Sequence, residues 1–110
     1  AGVGGILAGI RLWEEGIPFC IVEKNADVGG TWYENTYPGA RVDTPNYFYC
    51  YSFEPNHDWS QYYSAQPELQ AYLKRSCDEY QVSEQLQLNT KVTDVVFDET
   101  GKFCPGRKSC

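Results

Sequence analysis

The sequence predicts part of a three-layer α/β domain, and three observations carry that prediction. A glycine-rich opening, Ala1-Gly2-Val3-Gly4-Gly5, leads into a helical pattern. A short apolar run, Phe19-Cys20-Ile21-Val22, follows a glycine that ends this helix. The run then closes on an acidic residue, Glu23. Glycine turn, helix and apolar strand make up the second half of a βαβ unit. The strand that opens such a unit would precede Ala1, so the first strand is expected to be missing and the 110 residues read as a fragment.

Between Val3 and Glu15, Ile6, Leu7, Ile10 and Trp13 recur at three- and four-residue spacing, as one apolar face of a helix requires. Ala8 and Gly9 keep the opposite face small, which suits a helix that crosses a sheet closely. Gly16 stands where helices end, because glycine takes the left-handed backbone without a steric penalty. Phe19 to Val22 is apolar throughout, as a parallel strand covered on both faces would be.

Periodicity is lost from Lys24 to Ser64, where glycine, proline and asparagine punctuate the chain. A loop of that length in a compact domain is functional or disordered, and its many aromatics argue against disorder. A second helix is predicted from Gln66 to Tyr80. Pro67 and Glu68 suit its first turn, and Leu69, Tyr72, Leu73, Cys77 and Tyr80 form its apolar face. Leu86–Asn89 and Val92–Phe97 read as strands, and Asp98–Gly101 as a hairpin turn. Residues 1–99 are thus one partial domain. Residues 100–110 are an atypical tail: two cysteines, a proline and a glycine arrive where a returning strand should alternate. That tail is read as a truncation, splice or frameshift artefact, with an ordinary loop as the alternative.

The formal charge of −6 argues against nucleic acid and anionic membranes as partners. No apolar run approaches the roughly 18 residues of a membrane span, and no signal peptide is visible. Cys20, Cys50, Cys77, Cys104 and Cys110 have no zinc-finger or CxxC spacing, so no metal site is expected. Free thiols, with Cys20 and Cys77 buried, suit a reducing, cytoplasmic setting. His57 beside Asp58 reads as a surface histidine.

The chemistry-bearing motifs begin with the glycines. Gly2 and Gly5 match the second and third glycines of the GxGxxG fingerprint, in which a pyrophosphate lies against the open N–H groups of a helix start. Glu23 stands about 20 residues further on, where that fingerprint places a carboxylate for ribose hydroxyls. A glutamate there repels a 2′-phosphate, which favours FAD or NAD over NADP at this site. Taken singly, the glycines also fit close helix–sheet packing, and Glu23 also fits a solvated strand end. Gly29-Gly30-Thr31-Trp32 lets the chain turn close beneath a ligand and brings an indole that can pack on a flat surface. Aromatics, 15 % of the chain, cluster from Trp32 to Tyr63. A stacking surface and a self-packed loop both account for them.

The combination of Glu23-Lys24 with Gly29-Gly30-Thr31-Trp32 resembles the flavin monooxygenases. Tyr37-Pro38-Gly39-Ala40-Arg41-Val42-Asp43 and Tyr49-Cys50-Tyr51-Ser52-Phe53 resemble the Baeyer–Villiger group in particular, and the resemblance runs from Ala1 to about Glu99. It implies a Rossmann-like FAD-binding domain with FAD held by Gly2, Gly5, Glu23, Lys24, Gly30, Thr31, Trp32, Asp43, Tyr49 and Val92. Thr31 and Trp32 would lie near the flavin ring and ribityl chain, and Val92 would hold the adenine through its backbone. Asp43 would sit by the ring and support catalysis by orienting an arginine from a later domain. Core packing for Tyr49 and a turn role for Asp43 before Thr44-Pro45 are the plainer readings. Arg41 reads as structural or phosphate-facing.

The resemblance further implies that NADPH, bound outside these residues, reduces FAD. Dioxygen then gives a peroxyflavin that attacks a ketone and yields an ester or lactone. The implied partners are a ketone or related organic molecule and dioxygen. Nitrogen or sulfur oxygenation is the alternative activity, and a non-catalytic remnant is the alternative from another class. A complete enzyme of this kind needs several times this length. The 110 residues alone are expected to be poorly stable and not to oxidise NADPH.

Overall fold

Helix α1, Val3–Glu14, begins at Gly2, a residue in extended conformation that offers no side-chain cap. The computed structural model describes residues 1–97 and Glu99. Ile6 and Ile10 are fully buried on the inner face of α1, and Leu7 is partly buried against the same core. Trp13, expected on that face, is instead 43 % exposed at the last turn, beyond the reach of the core. The helix ends as expected. Gly16 has φ +66, its N–H donates to the Trp13 carbonyl at 3.1 Å, and the Ile17 N–H reaches back to the Leu12 carbonyl at 2.9 Å. These are the paired bonds of a Schellman motif, which needs a left-handed residue at this position.

Strand β1 is Ile21–Val22, shorter than the apolar run that predicts it. It pairs in parallel with β2, Leu86–Gln87, in the register Ile21 to Leu86 and Val22 to Gln87. Gly9 sets the distance between α1 and this sheet. A Cβ added there would stand 2.8 Å from Ile21 Cδ1 and 3.0 Å from Val82 Cγ1. No larger residue allows the helix to lie so close. Cys20, expected to be buried in the strand, is exposed, whereas Cys77 is buried as expected.

The stretch 24–64 is not structureless. It contains a short helix α2, Thr31–Glu34, and its later part is closed on itself. The Val42 N–H donates to the Ser64 carbonyl at 3.1 Å, and the Gln66 N–H to the Ala40 carbonyl at 2.9 Å. Inside that closure the Asn46 N–H bonds the Tyr62 carbonyl, and Asn46 Oδ1 accepts from the Ser64 N–H at 2.9 Å. The backbone polar groups of the loop are thus satisfied locally, as burial requires.

Helix α3, Gln66–Glu79, carries Pro67 and Glu68 in its first turn and buries Leu69, Tyr72, Leu73 and Cys77, as the sequence predicts. A 3-10 helix, Val82–Gln85, follows a left-handed Gln81 and inserts Val82 fully into the core. That core joins Ile6 and Ile10 of α1 to Val28, Trp32, Val42 and Tyr51 of the loops and to the inner face of α3.

The last expected strand is absent. Val92–Phe97 is irregular and exposed, from 51 % at Val92 to 84 % at Phe97, with no ladder partner among the described residues. Alternating apolar residues do not make a strand without a neighbouring backbone to bond. The hairpin turn expected at 98–101 and the tail 100–110 lie outside the described residues, Glu99 excepted.

Candidate functional site

Of the predicted site residues, Gly2, Gly5, Glu23 and Gly30 come together at the N-terminal end of α1. The first N–H groups of a helix have no intrahelical acceptor, and here no side chain caps them. An added Cβ at Gly4 or Gly5 meets no protein atom within 4 Å. An anion can therefore approach this turn closely, with the helix dipole in its favour.

The glycine pair Gly29-Gly30 crosses directly over this turn. The Gly29 N–H donates to the Ala1 carbonyl at 3.0 Å, and an added Cβ on Gly30 would stand 2.8 Å from Gly2 Cα. Gly30 has φ +54 and ψ −118 and opens α2, accepting from the N–H groups of Tyr33 and Glu34 at 3.0 Å. Two backbones touch at Gly2 and Gly30, and Gly30 has no room for a side chain. Two glutamines of α3 hold the crossing loop from behind. Gln66 Nε2 donates to the Trp32 carbonyl, and Gln70 Nε2 to the Val28 carbonyl at 3.2 Å.

Glu23 is 6 % exposed at the end of β1. Its carboxylate accepts from the Ala1 backbone nitrogen and, at 2.9 Å, from the Asn25 N–H. Burial raises its pKa, and the hydrogen bond from the Asn25 N–H and the nearby Lys24 charge lower it. It stands beside the glycine turn, and a carboxylate has about four acceptor sites, so two bonds do not exhaust it. Lys24 points away to an exposed ion pair with Glu34 Oε1 at 2.9 Å, which raises the Lys24 pKa and lowers that of Glu34. This pair ties the strand end to α2.

Thr31 is exposed at the start of α2, whereas Trp32 is buried in the core. The Trp32 indole N–H donates to the Tyr49 hydroxyl at 2.9 Å, with the rings edge to face at 6.0 Å. Trp32 thus supports Tyr49 from within. Asp43 is exposed, and among the described residues its carboxylate accepts a long 3.4 Å bond from Thr44 Oγ1. Val92 lies in the exposed segment after β2.

Sequence reasoning missed Tyr51 and Tyr72 as parts of this assembly. The Tyr51 hydroxyl donates to the Val3 carbonyl at 2.7 Å, in the first turn of α1. The Tyr51 N–H donates to the Tyr72 hydroxyl at 2.9 Å, and that hydroxyl donates to the Glu54 carbonyl at 2.7 Å. Burial raises the pKa of both phenols, so both are hydrogen-bond donors across the physiological range. An apolar pocket of about 250 Å³ opens between Val3, Tyr49, Tyr51 and the Leu69–Leu73 face of α3. The signal in the sequence was the tyrosine itself, since a buried tyrosine needs a partner for its hydroxyl.

A parallel sheet, a glycine turn at the start of α1 and a carboxylate at the end of β1 define a class. The chain belongs to the NAD(P)-binding Rossmann-like domain family, whose model matches residues 1–66. Within that class it is 41 % identical over 99 residues to a Baeyer-Villiger monooxygenase of Pseudomonas aeruginosa, covering 89 % of this chain and 19 % of the relative. It is 40 % identical over 103 residues to the phenazine N-monooxygenase PhzNO1 of Lysobacter antibioticus, covering 89 % of this chain and 19 % of the relative. The structure of OTEMO in complex with FAD and NADP superposes with a TM-score of 0.83 at 38 % identity, over 91 % of this chain and 20 % of the other. The chain spans about a fifth of the length of the curated relatives it matches.

Proposed function

We propose that this chain is the FAD-binding part of an NADPH-dependent flavoprotein monooxygenase that converts ketones to esters or lactones. The observation that carries the proposal is the crossing of Gly29-Gly30 over an uncapped glycine turn, with the Glu23 carboxylate beside it. These residues fit FAD. The first-turn N–H groups of α1 suit a diphosphate, Gly2 and Gly5 leave room for it, and Glu23 suits ribose hydroxyls. A relative of the same fold is known in complex with FAD and NADP.

Bound FAD would supply the redox and oxygen chemistry, with NADPH as reductant. This chain's residues would do the holding. Thr31 and Gly30 would lie along the cofactor, with Lys24 at the edge of the same site. Tyr49 would contact the ring and is braced by Trp32. Exposed Asp43 would orient a cation beside the flavin, and Val92 would meet the adenine with its backbone. A net negative charge and free thiols fit a cytoplasmic protein that binds no nucleic acid. No helix among the described residues is long and apolar enough to cross a membrane. The partners in this reading are a small ketone and dioxygen.

A second reading, oxygenation at nitrogen or sulfur, draws on the similarity to the Lysobacter N-monooxygenase. The test is turnover by the complete protein. Purified with FAD, it is expected to consume NADPH faster when a ketone is added and to release the ester or lactone, identified by mass spectrometry. Turnover confined to amines or sulfides would replace the leading reading with the second. A protein that binds no flavin would overturn both.

A further inference from the structure

The Tyr51 hydroxyl is bonded to a peptide unit of the phosphate turn itself. Its acceptor is the Val3 carbonyl. That carbonyl shares a rigid, planar peptide with the Gly4 N–H, and Gly4 is the second residue of α1. The Gly4 N–H points out of the helix start without an intrahelical acceptor. A hydrogen bond to one end of a peptide fixes its plane and polarises the N–H at the other end.

We propose that Tyr51 is a positioning residue for cofactor binding: it orients and polarises the Gly4 N–H that would donate to the FAD diphosphate. The inference rests on the flavoprotein reading above and adds to it a residue that touches no cofactor.

Tyr51 is well placed for this task. Its ring is 7 % exposed and stacks on Phe53 with centroids 5.3 Å apart and planes 9° apart. Its own backbone is held to α3 through the Tyr72 hydroxyl at 2.9 Å. The residue is therefore held to α3 through its backbone while its hydroxyl bonds α1, 48 residues away in sequence. Tyr49 lies two residues earlier on the same loop and bonds Trp32, so one loop joins the flavin-side contacts to the phosphate turn.

The test uses the complete protein with Tyr51→Phe, which keeps the stacked ring and removes only the hydroxyl. Tyr80→Phe serves as the control. It removes another tyrosine hydroxyl bond, Tyr80 Oη to Glu54 Oε2 at 2.9 Å, from the same aromatic cluster but away from the first turn of α1. FAD affinity is read by titration of the apoprotein, and amide exchange in the first turn of α1 by mass spectrometry without FAD. Tyr51→Phe is expected to weaken FAD binding about five- to tenfold, the range of one lost neutral hydrogen bond, and to speed exchange in that turn. Tyr80→Phe is expected to leave FAD affinity within about twofold, because its bond is remote from the turn.

FAD affinity unchanged in Tyr51→Phe overturns the assignment, with or without faster exchange. Equal loss of affinity in both variants also overturns it, because a general loosening of the aromatic cluster then suffices. If the unaltered protein binds no FAD, the flavoprotein reading fails first and takes this assignment with it.

Discussion

Gly30→Ala is the sharpest test of the crossing that builds the site. Two costs are legible in the structure. At φ +54 and ψ −118 the backbone lies where residues with a Cβ are strained, at about 1–3 kcal/mol. The new methyl would also stand 2.8 Å from Gly2 Cα, which is backbone in the glycine turn and has no flexible end to swing aside. Overpacking of this kind costs about 1–3 kcal/mol more. The sum, roughly 2–6 kcal/mol, is a large part of the 5–15 kcal/mol that holds a typical domain together. Relief would come from shifting the turn at Gly2, so FAD affinity should fall together with stability. Urea denaturation of the complete apoprotein reads the first effect from the midpoint at unchanged slope, and FAD titration reads the second. Gly39→Ala is the matched control. Its φ of +83 carries strain, but an added Cβ there meets nothing within 4 Å. It should cost only about 1–2 kcal/mol and leave FAD binding alone. A Gly30→Ala variant no less stable than Gly39→Ala, with normal FAD affinity, would show that the loop and turn do not depend on each other.

Three further outcomes are expected. Gly5→Ala sits in a helix with no protein atom within 4 Å of the new methyl, so the apoprotein should gain up to about 1 kcal/mol. FAD binding should weaken in the same variant, and tighter binding in the titration would refute the phosphate role of this turn. Glu23→Ala should weaken FAD binding about tenfold or more, the equivalent of a lost charge-assisted hydrogen bond of about 1.5–3 kcal/mol; unchanged affinity would remove the ribose contact from Glu23. The third concerns pH. Burial raises the Asp27 pKa, but bonds from Lys74 Nζ at 2.8 Å and from the Val28 N–H at 2.8 Å outweigh it, so the net shift is downward. A carboxyl depressed on folding adds stability above its ordinary pKa of 3.8 and loses it as pH falls through the lower folded value. Asp27→Asn should therefore flatten the stability profile below about pH 4, as measured by thermal denaturation across pH. A profile identical to that of the unaltered protein would show that this pair does not link the crossing loop to α3.

The elements that were legible in the sequence are those whose signals are local. The stripe of α3 and the Gly16 stop of α1 act within a few residues of themselves, through helix periodicity and backbone sterics. The same is true of the glycine turn before α1 and of the carboxylate that ends β1, whose spacing is set by the helix and strand between them. Tertiary structure decided what depends on distant neighbours. Trp32 and Trp13 look alike as aromatic residues, yet one is buried and bonded to Tyr49 while the other lies exposed on the last turn of α1. Val92–Phe97 has the composition of a strand but no backbone partner among the described residues, and strand formation is a property of the pair. Gly30 could be read as a turn residue, but its contact with Gly2 could not, because it joins chain segments that only the folded core brings together. The Tyr51 bond to Val3 is of the same kind: a hydroxyl finds its partner by where the ring is packed, and here that depends on α3, through Tyr72, as well as on nearby Phe53.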